Sequence, residues 1–354
     1  MDIQDSVFYL DHKAGRTVSV KNTEFLFFSG YNYLGISHQN EFAELVTEGL
    51  SKYGWLFPSS RISNTRLSLF EECESMLSAI TGSEDSVLLP SGFAAGQLAT
   101  SRYGKDIYNA PGSHPAITRN TSALSDFDDW SKWLLKTANK SSPDQSPAFA
   151  TNSLDPLTAT LYNFSFIQDF HKPVKAILDD SHGIGLTGKN GAGVSSLIPA
   201  STTAQYTFTY SLSKALGIPG GAISCMKEEA DYLRSMSGYT AVSPLSPAMI
   251  YAFTRAQSIY AVQRKKLYHN IERFAELTKN LPGIKHDPSF PVFVLPDNIR
   301  ENFLEENNII ISAFAYPDPS GPRVKRIVLN ALHTLEDLER LTSVLEQAYH
   351  QTAQ

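Results

Sequence analysis

Three short stretches of the sequence set polar or reactive side chains directly after apolar runs. The first is Ser91-Gly92-Phe93, which follows Val87-Leu-Leu-Pro90 and opens an alanine-rich segment. Backbone N–H groups at the start of a helix bind phosphate well, so this stretch is a candidate anion cradle. Taken alone, it reads more simply as a glycine-eased turn with Ser91 as a cap. The second is Asp179, which ends Val174-Lys-Ala-Ile-Leu178, with His182 three residues on. A carboxylate just past a buried strand is costly unless a cation or hydrogen-bond donors meet it. A protonated heteroaromatic nitrogen is one such cation; a capping aspartate beside a loop histidine is the plainer alternative. The third is Lys214, in Ser211-Leu-Ser-Lys-Ala-Leu216. A lysine near a strand end can condense with a carbonyl when desolvation or a cationic neighbour lowers its pKa, although most lysines simply lie on the surface.

These residues need elements that place them at one edge. Glu41 to Lys52 and Leu69 to Ile80 repeat apolar residues at helical spacing, and Gly82 follows the second as a C-cap. Ser86 to Pro90, Val174 to Leu178 and Ala204 to Tyr210 read as buried strands. Strands alternating with helices predict an α/β fold with a mostly parallel sheet, whose ligands sit at the carboxyl ends of the strands. Ser141 to Pro147 reads as a surface loop. Farther on, Ser246 to Asn280 is helical throughout, and short apolar runs follow at Phe290 to Leu295, Ile309 to Ser312 and Arg326 to Leu329. Thr334-Leu-Glu-Asp337 resembles a capping box. Leu335, Leu338, Leu341, Val344, Leu345 and Ala348 supply the apolar face of a last helix. This part reads as a smaller α+β domain.

A phosphate cradle, a strand-end Asp and then Ser-Leu-Ser-Lys, in that order, resemble a fold-type-I pyridoxal 5'-phosphate enzyme. The resemblance narrows with Ser29-Gly-Tyr-Asn-Tyr-Leu-Gly-Ile36, Ser91-Gly-Phe-Ala-Ala95, Leu178-Asp-Asp-Ser-His-Gly-Ile-Gly185, Ser211 to Gly217 with Gly220-Gly221, and Arg326-Ile-Val-Leu-Asn-Ala-Leu-His-Thr334. Together they are similar to the α-oxoamine synthase family from about residue 26 onward. The resemblance implies a large cofactor domain at 40–240 and a small domain built from 1–39 and 241–354. It implies condensation of an amino acid with an acyl thioester, carried by CoA or acyl carrier protein, with loss of carbon dioxide to give an α-aminoketone. Lys214 would bind the cofactor aldehyde and later take the α-proton, and Asp179 would pair with the ring nitrogen. His182 would sit by the phenolic oxygen, and His114 would stack on the ring. Ser91, Gly92, Phe93 and Ser211 would hold the phosphate. Ser243 would reach the site of the other subunit of a homodimer.

Some positions depart from the family pattern. Val324 stands where the family's first arginine binds the substrate carboxylate, and a bidentate guanidinium is not replaced by valine. Arg323 or Lys325 would serve if the loop shifted by one residue; otherwise the carboxylate is bound differently, the substrate differs, or the protein binds cofactor without acyl transfer. A plain aminotransferase fits less well, because Gly-Gly-Ala-Ile223 follows Lys214 with no phosphate-binding arginine. Leu161 to Phe166 stands in for the usual Ser-Met-Asp-Gly-Asp, leaving Asn163 or Ser165 as the cofactor contact. The chain also has little ahead of residue 26 to match the family's leading helix.

Composition bounds the reading. The 354 residues carry 30 Lys and Arg against 36 Asp and Glu, a net charge of −6, with 42% hydrophobic residues. That balance opposes nucleic-acid or anionic-membrane partners, which need clustered cations. No apolar run reaches the roughly 20 residues of a membrane span, and Met1 to Asp5 lacks a secretion signal. Two cysteines, Cys73 and Cys225, cannot build a disulfide framework, and the remaining histidines show no metal-ligand spacing. A cytoplasmic enzyme is expected.

Overall fold

A computed structural model describes residues 7–142, 146–316, 318–321 and 323–352. Residues 1–5, scanned above for a signal, and 143–145 of the expected surface loop lie outside the described residues. The chain divides into two compact units. One comprises Gln39–Asp155 and Leu161–Tyr260, and the other Met1–His38, Pro156–Thr160 and Ala261–Gln354. Residues 241–260, expected in the small domain, fall in the first of these. The helix Pro247–Arg255 packs on Asn40–Tyr53 so closely that a Cβ on Gly49 would lie 2.8 Å from the Ala248 carbonyl oxygen.

The first unit is built on a six-stranded sheet in the order Asp85–Leu89, Gly221–Cys225, Ala204–Ser211, Val174–Asp179, Ala148–Asn152 and Ile107–Asn109. Gly221–Cys225 is antiparallel to both neighbours and the other strand pairs of this sheet are parallel. The carboxyl ends of Asp85–Leu89, Val174–Asp179 and Ala204–Ser211 therefore share one edge, as the alternating pattern predicts. Val174–Asp179 is buried at nearly every residue, which explains its unbroken apolar run. The helix Ser68–Thr81 ends at Gly82 in the left-handed conformation (φ 68°), a conformation that favours glycine. The helix Phe127–Lys140, capped by Asp126, and the strands Ala148–Asn152 and Gly221–Cys225 were not legible as elements in the sequence.

The other unit has its own six-stranded sheet, ordered Thr17–Val20, Thr23–Phe28, Ile309–Ala315, Arg323–Val328, Val292–Val294 and Lys285–His286. The first two strands form a hairpin whose turn residues, Lys21 and Asn22, both have positive φ. The long helix expected from Ser246 to Asn280 is two helices, Pro247–Arg255 and Gln257–Thr278, separated at Ala256. The capping box is present: Asp337 Oδ2 accepts the Thr334 N–H at 2.9 Å, and Thr334 Oγ1 accepts the Asp337 N–H at 3.4 Å. Leu338, Leu341, Val344, Leu345 and Ala348 are buried as expected, whereas Leu335, in the first turn, is exposed. Among the described residues no helix is long and apolar enough to cross a membrane, and no cluster of His, Cys, Asp or Glu could hold a metal.

His333, which carries no role in the sequence reading, is a buried tie in this unit. Its Nδ1 accepts the Asn330 N–H at 3.1 Å, its Nε2 lies 3.1 Å from the Phe27 carbonyl, and its ring stacks on Phe28. The ring is thus held neutral, and burial pulls its pKa down to about 4. The unfolded chain takes up a proton near pH 6.5 that the folded chain refuses, so stability falls as pH drops from 6.5 towards 4, by roughly 3 kcal/mol at most. His333→Gln is expected to be less stable at pH 7 but to lose less on acidification. Urea titrations across that pH range would show parallel curves if the proton linkage were absent.

Candidate active site

The site is assembled within the first unit from four loops at the carboxyl edge of its sheet. Asp179 ends its strand and its Oδ1 accepts the Ser181 N–H at 3.0 Å. Ser181 Oγ in turn accepts the Ser211 N–H at 3.0 Å, tying the end of one strand to the next. Ser211 Oγ lies 2.8 Å from Ser213 Oγ, one residue before Lys214. The Leu212 N–H donates to the Gly220 carbonyl at 2.9 Å, closing the loop that presents Lys214. The Tyr260 hydroxyl anchors that loop on the Leu216 carbonyl at 2.7 Å.

Two glycines explain how the loops come so near. A Cβ on Gly221 would sit 2.4 Å from the Gly92 nitrogen and from the Ser91 carbonyl, and one on Gly92 would sit 2.7 Å from Ser211 Cβ. No side chain fits at either place, so backbone meets backbone. Ser91 caps the helix Gly92–Ser101 by accepting the Ala94 N–H at 3.1 Å. Its hydroxyl is thus engaged in the cap, while the N–H groups of Gly92 and Phe93, in the first turn, have no acceptor within the helix. Beside Ser211, they are suited to a phosphate.

His114 stands opposite Asp179, with Nδ1 at 3.9 Å from Oδ2. That approach is not an ion pair, because Nδ1 already accepts the Ala116 N–H at 3.1 Å and the ring is neutral. Burial lowers its pKa, as does the Lys214 charge, while Asp179 acts the other way. Asn152 fixes the loop by accepting the His114 N–H at 2.9 Å and donating to the Gly112 carbonyl at 2.9 Å. Lys214, partly exposed, is pulled down to about 8 by burial, against the opposing pull of Asp179. Lys214, Asp179 and His114 are therefore close enough to act on one another's charge. His182 lies in the same turn, between Ser181 and Gly183, whose N–H donates to the Asp180 carbonyl at 2.9 Å.

Ser243 is exposed and outside this hydrogen-bond chain of its own subunit; two residues on, Leu245 packs against Gly220. Two expectations need adjustment. Asn163 and Ser165 are also exposed, and Asn163 Oδ1 accepts the Ser165 N–H at 2.9 Å. The segment beside Asp179 is instead Asn152-Ser153: Asn152 pairs with Asp179 in register, and the Ser153 N–H donates to the Asp179 carbonyl at 2.8 Å. The Ser153-Leu-Asp155 that begins there matches the family's Ser-Met-Asp better than residues 161–166 do. In the other unit, Arg323 pairs with Glu301 at 2.9 Å and Lys325 donates to the carbonyls of Asp297 and Ile299, so neither is poised to replace an arginine at Val324.

The family model described as aminotransferase class I and II matches residues 126–345. The chain belongs to this family. A curated relative named 8-amino-7-oxononanoate synthase, from Buchnera aphidicola subsp. Baizongia pistaciae, is 26% identical over 369 residues, covering 94% of this chain and 91% of the relative. Among solved structures, a serine palmitoyltransferase from Sphingomonas wittichii superposes with a TM-score of 0.80 at 17% identity, covering 98% of this chain and 92% of that one. The 8-amino-7-oxononanoate synthase of Francisella tularensis gives 0.68 at 21% identity, covering 92% and 98%. The fold is thus the fold-type-I arrangement of these enzymes.

The geometry generates two tests. Gly221→Ala should leave the protein folded by circular dichroism yet weaken phosphate-ester binding at least about tenfold, because the new methyl displaces the Gly92 backbone; unchanged affinity would count against a cradle there. In cofactor-free protein, labelling of Lys214 by an amine reagent followed by peptide mapping should rise through a midpoint near pH 8. A midpoint above pH 10 would show that burial does not depress it.

Proposed function

We propose that this protein is a pyridoxal 5'-phosphate-dependent 8-amino-7-oxononanoate synthase. It would join L-alanine to a pimeloyl thioester and release carbon dioxide and the free thiol. The observation that carries this is the meeting of Lys214, Asp179 and His114 beside the Gly92–Ser211–Gly221 cradle. The name shared by curated relatives over more than nine-tenths of the chain supports the member. The residues fit the cofactor: an amine of lowered basicity for the aldehyde, an anion for the ring nitrogen and free helix N–H groups for the phosphate.

When bound, the cofactor supplies an electron sink for the carbanion formed at the amino-acid α-carbon. Asp179 would hold a proton on the ring nitrogen, and the Ser181 N–H keeps that carboxylate oriented. Lys214 would hold the cofactor through its aldehyde and, as a free amine, accept the α-proton; a pKa near 8 leaves a useful fraction of free amine at neutral pH. His114, neutral with Nδ1 engaged by Ala116, offers its ring face and an Nε2 proton. His182 serves the incoming acyl group from the turn after Asp179. The active unit is a cytoplasmic homodimer, with Ser243 facing the partner's site. The exposed Trp55, Leu56, Ile62 and Phe93 of the same unit support such an interface.

A second reading, a serine palmitoyltransferase-like synthase, is favoured by the higher TM-score to that enzyme. Absorbance titrations of the holoenzyme with glycine, alanine, serine and threonine, repeated with pimeloyl and palmitoyl thioesters, separate the two. Alanine should perturb the cofactor band, and carbon dioxide should appear only with the pimeloyl thioester. Response to serine and palmitoyl-CoA alone would establish the second reading, and no amino-acid response would leave a cofactor-binding protein without acyl transfer. Lys214→Ala should abolish the Schiff-base band. Sedimentation as a monomer at assay concentration would overturn the dimer.

A further inference from the structure

Asp180 is 2% exposed and sits directly after Asp179, yet the chemistry described above gives it no part. Its surroundings are tight. A Cβ on Gly183 would lie 2.1 Å from Oδ1 and one on Gly193 would lie 1.8 Å from Oδ2, so two glycines make room for this one carboxyl group. Oδ2 accepts the Val194 N–H at 2.9 Å. Oδ1 is enclosed and accepts no hydrogen bond, and Ser153 Oγ, on a residue 5% exposed, is enclosed and unpartnered as well. Among the described residues no basic side chain pairs with Asp180. A bare anion here would have two donors at most, the Val194 N–H and the Ser153 hydroxyl, with no counter-charge and the Asp179 carboxylate as its neighbour, which is an expensive arrangement.

We infer that Asp180 is a positioning residue held as the neutral carboxylic acid, its proton on Oδ1 directed towards Ser153, so that it locks the His182 turn to the Asn152-Ser153 segment and leaves Asp179 the lone anion of the site. The backbone follows the same plan. The Asp180 N–H donates to Thr209 at 2.8 Å, and its carbonyl accepts the Gly183 and Ile184 N–H groups at 2.9 and 3.0 Å. The residue therefore joins a neighbouring strand, the turn carrying His182, and through Val194 the following loop. Burial and the Asp179 charge push its pKa up to about 7, against the effects of the Ser153 hydroxyl and the Val194 N–H. The other titratable group influenced by it, Tyr210, is itself neutral, its pKa raised mainly by burial. A second anion at this place would compete with Asp179 for the proton that the ring nitrogen must keep.

The role in catalysis rests on the proposed function, but the protonation state does not, so cofactor-free protein tests it first. Infrared difference spectra at pH 6 between the wild type and Asp180→Asn should show one protonated carboxylic-acid C=O band lost in the variant. Stability of the wild type relative to that variant should fall as pH rises from about 4 to about 7 and level off above that, since over this range only the folded state keeps the proton. In the holoenzyme, Asp180→Ala should lower kcat at least about tenfold with a smaller change in KM, and Asn should restore most of it. A carboxylate band in place of the acid band, an Asn variant as impaired as Ala, or a folded Ala variant with wild-type kcat would each overturn the assignment. If the Ala variant does not fold, the infrared band and the Asn variant still decide.

Discussion

The arrangement depends on a carboxylate placed at the end of a buried strand. Val174–Asp179 is central in its sheet and apolar along its length, so Asp179 emerges where solvent cannot stabilise it. Such a charge has to be met by donors and cations. The Ser181 N–H supplies one donor, the neutral His114 ring faces the other oxygen, and Lys214 lies near enough to feel the charge. The same carboxylate works against the desolvation that lowers Lys214. One group thus concentrates negative charge at the strand end and moderates the loss of basicity that burial imposes on the amine beside it.

Around that charge, the loops are brought together by missing side chains. Gly221 and Gly92 let the antiparallel strand, the helix start and Ser211 meet at backbone distance. Gly183 and Gly193 do the same around Asp180. The glycines have separate tasks. The first pair shapes a cradle of N–H groups, and the second pair admits a buried carboxyl group that binds the His182 turn to its neighbours.

Likeness to relatives divides in an instructive way. By sequence the curated relatives are named 8-amino-7-oxononanoate synthase, while the higher superposition scores belong to serine palmitoyltransferase. Groups that hold a cofactor ring would not distinguish such enzymes, because the same ring calls for the same amine, anion and phosphate donors. Discrimination lies with whatever holds the amino-acid carboxylate and acyl chain. At Val324, with its engaged neighbours Arg323 and Lys325, the sequence departs from the pattern it otherwise resembles.

The sequence by itself determined the α/β pattern, the strand ends at Asp179 and Ser211, the cap at Ser91 and the position of Lys214 just past a strand. Each is a local signal: an apolar run, a glycine after it, a polar residue at the end. The same locality explains the capping box at Thr334 and Asp337. Tertiary structure alone decided the rest. Asn152 ends the strand Ala148–Asn152 and Ser153 follows it, and their value comes from lying next to Asp179 in register. His114 is a loop histidine until Ala116 and Asn152 hold it against that carboxylate. The break at Ala256, and with it the placement of residues 241–260, follows from the packing of Pro247–Arg255 on Asn40–Tyr53, which helical periodicity cannot register. Asp180 differs most between the two views, since its neighbours in space, Ser153 and Val194, are distant in sequence and only folding encloses its carboxyl group.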